Sequence, residues 1–205
     1  MLIDMKTPGI TVRPLILMDG GHEVNEIFFD DVEVPLENRV HEEGKGWTVA
    51  KFLLGHERMN TARIGASKRE LEKLKALAAK QTKDGHRLID DPRYRDKVSR
   101  VEVELMALEV THLRFLDRLR AGGSLVAEVS MLKIKGTEIQ QALTELMMQA
   151  MGPLAEPVAP SGRNDVFDEV AALLSRRYCN FRKTSIYAGS NEIQRNIIAK
   201  MALGL

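Results

Sequence analysis

The chain has 205 residues, 44% of them hydrophobic and 29% charged, so it can bury a sizeable core as one domain plus a fragment. Its 30 basic and 29 acidic residues leave a net charge of +1, which gives no general attraction to nucleic acid or to an anionic membrane. The single cysteine, Cys179, excludes an internal disulfide and fits a reducing cytoplasm, and no apolar run reaches membrane-spanning length.

The first 40 residues are predicted to form strands. Residues 10–17 and 24–29 are β-rich runs on either side of the turn Asp19-Gly20-Gly21, and residues 32–34 form a third run that stops at Pro35. Two or three strands with no covering helix make a poor domain. We therefore expect residues 1–40 to be the end of a sheet whose other strands lie elsewhere.

From Trp47 onward the apolar residues recur with the 3.6-residue period of helices. Asp91 is a good N-cap with Pro92 at the first helical position, and Ser124 can cap the next helix. The predicted helices cover residues 47–80, 92–121, 125–151, 165–184 and a short segment after Ser190. The predicted fold is therefore mainly α, an antiparallel up-down helical bundle preceded by a short β fragment.

The segment 187–195 is the most informative part of the chain. Ala188-Gly189 leads into a helix for which Ser190 is a good N-cap. The first N–H groups of such a helix lack internal partners and lie at the positive end of the macrodipole, so the helix start can bind an anion. On these physical grounds alone, an ordinary capped terminal helix remains the favoured alternative.

Glu57 is the candidate general base. It lies one turn after Leu54 and one turn before Thr61, on the largely apolar side of the first predicted helix. Desolvation there would raise its pKa towards the range that suits a base. The alternative, which periodicity alone favours, is a boundary glutamate paired with Arg58 or Arg63.

Two segments carry a family resemblance. Residues 187–205 closely resemble the C-terminal signature of acyl-CoA dehydrogenases, flavoenzymes that oxidise acyl-CoA thioesters to 2-enoyl-CoA. Residues 44–65 resemble the family's helix that begins in a Gly-x-Gly-Trp turn and carries a Leu-x-x-Glu-Arg stretch, here Leu54-Gly55-His56-Glu57-Arg58. By this resemblance residues 1–40 are the C-terminal part of the middle β-domain, and residues 41–205 are the complete helical bundle.

The resemblance also implies a catalytic role for Glu57. Most family members carry the catalytic glutamate at the position of Ala188, whereas a minority, exemplified by isovaleryl-CoA dehydrogenase, has a small residue there and supplies the glutamate from the first bundle helix. Glu57 matches that second position. It would remove the acyl α-proton while the flavin accepts a hydride from the β-carbon, and Arg58 would orient or neutralise it.

The implied cofactor is FAD, and the match to the family's FAD site is incomplete. The family's arginine motif after the first bundle helix is replaced near residues 82–85, where Arg87, Arg93 or Arg95 could substitute. The residues that match flavin-contacting positions are Gln149, Gly152, Ala188, Gly189, Ser190, Glu192 and Gln194.

The implied partners are an acyl-CoA substrate, electron-transfer flavoprotein as a possible acceptor, and other subunits in a homo-oligomer or a heteromer with a related chain. The histidines show no metal-ligand spacing, so no metal site is expected. Two alternatives stay open. One is a non-catalytic bundle that oligomerises or binds a partner, and the other is an acyl-CoA oxidase or flavin monooxygenase of the same fold.

Overall fold

The computed structural model describes residues 1–125, 127–155 and 166–205, without the side chains of residues 54–59, 154 and 166–172. The described chain divides into two compact units, Met1–His56 and Glu57–Leu205. No helix among the described residues is both long enough and apolar enough to cross a membrane.

The first unit contains a β-hairpin. Strand β1 (Ile10–Ile16) pairs antiparallel with strand β2 (His22–Phe29), in a register that runs from Ile10 opposite Phe29 to an irregularity after Leu15. The predicted third strand at residues 32–34 is wrong, because the chain turns away from β2 at Asp31, whose φ is 47°. Both strands are almost wholly exposed.

The helices are α1 (Gly46–Asn60), α2 (Ile64–Lys80), α3 (Pro92–Arg120), α4 (Glu128–Met151), α5 (Val166–Phe181) and α6 (Asn191–Ile198), which a π-helical turn at Ala199–Leu203 extends. Helices α2 to α6 form the bundle of the second unit, and the boundary between the two units falls within α1. Helix α4 is the central helix of the bundle, since it packs against α2, α3, α5 and α6 and is buried along most of its length. A helix with four helical neighbours lies at the centre of the bundle. The fold class is therefore confirmed.

The single helix predicted over residues 47–80 is wrong, because the structure breaks it into α1 and α2. Arg63 has a left-handed backbone with φ 45°, and the Thr61 carbonyl accepts a hydrogen bond of 3.2 Å from Gln140 Nε2 on α4. Ala62 is 1% exposed and packs on Gly136 of α4, where a Cβ atom would lie 2.5 Å from Ala62 Cα. Tertiary contacts with α4 therefore set this junction, and the apolar period continues across it.

Three of the four predicted helix ends of α3 and α4 agree with the structure. Asp91 caps α3 by accepting the N–H groups of Arg93 and Tyr94, and α3 and α4 end where the glycines predict. Helix α4 begins at Glu128, however, and Ser124 does not cap it. The ion pair between Glu128 and Arg118 of α3, at 2.6 Å, fixes the first turn of α4 instead.

Residues 82–87 form a feature that the sequence analysis missed. Strands β3 (Thr82–Lys83) and β4 (His86–Arg87) pair antiparallel around Asp84-Gly85. Both turn residues have positive φ, 52° and 81°, which a two-residue type I′ hairpin requires and which Asp-Gly favours. A tight hairpin thus occupies the place of the family's arginine motif.

Candidate functional site

The site is built around the start of α6. Ser190 is the N-cap, and its Oγ accepts the Ile193 N–H at 3.4 Å. The exposed Glu192 carboxylate accepts hydrogen bonds from its own backbone N–H and from the Ser190 hydroxyl. These bonds, with smaller contributions from Arg195 and Lys133, hold the pKa of Glu192 below its usual value. The predicted cap is confirmed, and Glu192 stays ionised beside it.

The loop before α6 has an unusual backbone. Ala188 and Gly189 both adopt left-handed conformations, with φ 54° and 79°. For alanine this conformation costs about 1–2 kcal/mol. Both carbonyl groups accept hydrogen bonds from Gln194 Nε2, at 3.2 and 3.3 Å. A Cβ atom on Gly189 would lie only 2.5 Å from that nitrogen, so the loop requires glycine there.

Gln194 lies beneath the loop and is fully buried. Its Oε1 accepts the hydroxyl of Ser130 on α4 at 2.7 Å. A hydroxyl on one side and two carbonyls on the other leave only one favourable orientation of the amide. The whole carboxamide is therefore engaged inside the chain.

Lys133 is a second buried support from α4, with 0% exposure. Its Nζ donates to Asn191 Oδ1 at 2.8 Å, and Asn191 also hydrogen-bonds Thr137. Desolvation lowers the pKa of Lys133, and the nearby Glu192 carboxylate opposes that shift. Sequence reasoning missed this residue, although its position one helical turn after Val129 and one before Thr137 places it in an inward-facing row.

The middle of α4 supports two candidate elements at once. Gly136 and Gln140 hold the junction at residues 61–62, whereas Lys133 and Thr137 hold the start of α6 through Asn191. Residues three and four apart on a helix are neighbours, with Cβ atoms about 5–6 Å apart. The end of α1 and the start of α6 are therefore anchored on the same two turns of α4.

Glu57 and Arg58 lie near the C-terminal end of α1, and their side chains fall outside the described part of the structure. Glu57 is one turn before Thr61, so its backbone precedes the junction that α4 holds. The catalytic roles of Glu57 and Arg58 stay predictions.

The other two predicted cofactor residues lie apart from α6. Gln149 is exposed and hydrogen-bonds Lys97 and Glu145, at 2.9 and 3.2 Å, while Gly152 ends α4 with φ 59°. Gln149 is twelve residues beyond Thr137, about 18 Å along α4 at 1.5 Å per residue. Within one chain the structure does not bring these two residues to the α6 start.

Arg87, one of the possible substitutes for the missing family arginine, is already ion-paired. Its guanidinium contacts both carboxylate oxygens of Asp90, at 2.7 and 3.3 Å, and this contact raises the pKa of Arg87. Among the described residues, no group of three or more His, Cys, Asp or Glu side chains could hold a metal ion.

Residues 44–203 match the family model for the C-terminal domain of acyl-CoA dehydrogenases. The acyl-CoA dehydrogenase IpdE1 of Mycobacterium tuberculosis H37Rv is 33% identical over 208 residues, which cover 100% of this chain and 50% of IpdE1. An acyl-CoA dehydrogenase from Geobacillus kaustophilus superposes with a TM-score of 0.81 at 27% identity, over 99% of this chain and 51% of the other. The ChsE4-ChsE5 complex from Mycobacterium tuberculosis gives 0.77 at 27% identity, over 99% and 52%.

The bundle and these matches define the C-terminal helical domain of a class of flavoprotein oxidoreductases. The chain belongs to the acyl-CoA dehydrogenase family. It spans about half the length of IpdE1 and of the two solved structures named above.

Proposed function

We propose that the chain acts in an FAD-dependent acyl-CoA dehydrogenase that converts an acyl-CoA thioester into the 2-enoyl-CoA, either as a C-terminal portion or as one subunit of a split enzyme. The observation that carries this proposal is the double anchorage on α4. The same two helical turns hold the junction after Glu57 and the start of α6. A base on α1 and a cofactor-binding loop at α6 would thereby keep a constant spacing.

In this proposal Glu57 removes the α-proton of the acyl group, and Arg58 orients or neutralises it. Ala188 supports this assignment, because it leaves the terminal loop without a carboxylate. Bound FAD would supply the hydride acceptor for the β-carbon. This assignment explains why a carboxylate at position 57 occurs together with a small residue at position 188.

The loop and helix start fit an anionic part of FAD. Ala188, Gly189, Ser190 and Glu192 are exposed or half-buried on one short segment, and Gln194 lies beneath them. The ionised Glu192 disfavours a second negative charge on its own side of the helix start, so the ligand would approach from the side of Ala188 and Gly189. Gln149 and Gly152, at the far end of α4, would contact a flavin held mainly by another subunit.

The absorbance spectrum of the purified full chain, with and without added FAD, tests this proposal. We expect weak flavin binding by the chain alone and tighter binding when a β-domain segment of a relative or a related subunit is added. Anaerobic addition of an acyl-CoA to the complemented protein should then bleach the flavin. A colourless, stable oligomer that ignores both additions would instead support a non-catalytic bundle. Rapid reoxidation by oxygen would support an oxidase or monooxygenase.

We also propose that the protein self-associates through α3. Four large apolar side chains, Val103, Met106, Val110 and Leu113, stand 53–64% exposed along one side of this helix. Their spacing of three and four residues is that of a helix-pairing seam. Grooves of about 460 and 430 Å³ flank the seam on the α2 side and the α4 side. A ridge between two grooves suits packing against a copy of itself.

The charges on α3 favour an antiparallel arrangement of two copies. Beside the seam, residues 101–109 of the helix carry Glu102, Glu104 and Glu109 and no basic residue, whereas residues 114–120 carry Arg114, Arg118 and Arg120 and one acidic residue, Asp117. A two-fold axis near the middle of the seam would set the acidic stretch of each copy, residues 101–109, against the basic stretch of the other, residues 114–120. A related chain with the same pattern would fit equally, which is consistent with the ChsE4-ChsE5 complex being an assembly of two different chains.

The remaining features of the proposal follow from the family. Electron-transfer flavoprotein is the proposed electron acceptor. A cytoplasmic location suits the half-buried free thiol of Cys179, because a reducing compartment keeps it unoxidised.

A further inference from the structure

The two hydrogen bonds from Gln194 to the loop fix the direction of two peptide groups. The carbonyls of Ala188 and Gly189 both point inward to Gln194 Nε2. None of the described peptide bonds is cis, and in a planar trans peptide the N–H points opposite to the C=O. The N–H groups of Gly189 and Ser190 therefore point away from Gln194, and neither donates a hydrogen bond to another described residue.

Two bonds from α4 hold this arrangement from below. The Ser130 hydroxyl fixes the oxygen end of the Gln194 carboxamide, which directs its nitrogen at the two carbonyls. The Lys133 ammonium holds Asn191, the first residue of α6, and thus the other end of the loop. All four side chains are at least nine-tenths buried, so water competes little for their bonds.

We propose that Gln194 and Lys133 are positioning residues, which act through the loop and do not contact the cofactor. Gln194 keeps Ala188 and Gly189 left-handed, so that the N–H groups of Gly189 and Ser190 form an outward pair of donors for acceptor oxygens of FAD. Lys133 holds the helix start that follows. The identity of the ligand rests on the proposed function, whereas the orientation of the donors does not.

The Gln194→Glu variant tests this role with almost no change in shape. It replaces the donating nitrogen by a second oxygen, which would face the carbonyls of Ala188 and Gly189 and repel them. The matched control is Gln140→Glu. Gln140 is also buried, and its Nε2 also donates to two carbonyls, those of Thr61 and Gly136. The control therefore reports the general effect of placing a carboxyl group at a buried glutamine.

The full chain would be studied by ¹⁵N relaxation, thermal unfolding and FAD titration. We expect the order parameters of the Gly189 and Ser190 N–H groups to fall from about 0.85 to below about 0.6 in Gln194→Glu and to stay unchanged in Gln140→Glu. FAD affinity should fall at least about tenfold in Gln194→Glu. Lys133→Met should loosen Ser190 more than Gly189.

Two outcomes would overturn the positioning role. One is an ordered loop in Gln194→Glu with a loss of thermal stability equal to that of the control. The other is a disordered loop with unchanged FAD affinity. If the wild-type chain binds no FAD but its loop loses order in Gln194→Glu, the positioning role stands and the proposed cofactor fails. Should Gln194→Glu not fold, Ser130→Ala removes only one bond and should produce the same loop disorder at smaller amplitude.

Discussion

The contact between Gly136 and Ala62 gives the sharpest stability prediction, because it joins two backbones. In Gly136→Ala the added Cβ would lie 2.5 Å from Ala62 Cα and 2.8 Å from its carbonyl oxygen. Ordinary contacts begin near 3.4 Å, so α4 and the α1–α2 junction must separate by about 1 Å. Overpacking of this kind costs about 1–3 kcal/mol, and the upper part of that range applies because neither backbone can rotate away.

Gly65→Ala on α2 is the matched control. There the nearest atom to an added Cβ is Arg69 Nη1 at 3.9 Å, so the change only removes a helical glycine. A mid-helix glycine-to-alanine change stabilises by about 0.5–1 kcal/mol, which partly offsets the clash at Gly136; Gly65 lies in the first turn of α2, so the gain there is smaller. We therefore expect Gly136→Ala to lose about 1–2 kcal/mol and Gly65→Ala to gain up to about 1 kcal/mol.

Urea and thermal unfolding followed by far-ultraviolet circular dichroism, at one fixed protein concentration, would measure both variants. A difference of about 2 kcal/mol corresponds to about 4–8 °C in Tm for a chain of this size. Equal stabilities for Gly136→Ala and Gly65→Ala would refute the close backbone contact, and with it the account of how α4 fixes the end of α1.

Three further predictions concern other parts of the bundle. Ala188→Gly should raise the free energy of unfolding by about 1 kcal/mol in urea, since glycine adopts the left-handed backbone without strain; a loss of stability would contradict that conformation. Burial raises the pKa of Tyr94, whose hydroxyl donates a hydrogen bond to the Leu146 carbonyl. The protonated side chain therefore stabilises the fold fully below pH 10, and this contribution to stability is lost as the pH rises further. Tyr94→Phe should therefore lose about 1 kcal/mol at neutral pH and show a flatter decline above pH 10, and an unchanged alkaline slope would be inconsistent with the raised pKa. Val110→Glu on α3 should weaken self-association, measured by light scattering, at least about tenfold. Leu173→Glu, at a similarly exposed position on α5, should leave self-association unchanged. Equal effects of the two variants would argue against the α3 seam.

Local signals explain which elements could be predicted from the sequence. Asp91-Pro92 and Ser190 mark helix starts through bonds to the next three residues, and the structure contains both caps. Glycine ended α4 for the same local reason. The break at Arg63 could not be predicted in this way, because contacts with Gly136 and Gln140, more than 70 residues away, impose it on a continuous helical period.

The candidate site shows the same division. The loop at Ala188-Gly189 and the helix after it were recognisable, since small residues and an N-cap are adjacent in sequence. Lys133 was not, because its burial and its bond to Asn191 depend on how α6 packs against α4. The interior position of Gln194 likewise follows from its bond to Ser130, 64 residues away. That Gln194 acts through the loop and does not contact the cofactor stays a prediction.

The central claim is that Glu57 is the base of an acyl-CoA dehydrogenase, and anaerobic reduction of FAD by a saturated acyl-CoA tests it most directly. The protein would be the full-length or partner-complemented enzyme, as wild type, as Glu57→Gln, and as Glu72→Gln, a control at an exposed glutamate on α2. We predict that Glu57→Gln keeps its FAD content but reduces the flavin about 10²–10⁴-fold more slowly, while the control matches wild type. Near-normal flavin reduction by Glu57→Gln would contradict the account and leave Glu57 as a structural residue.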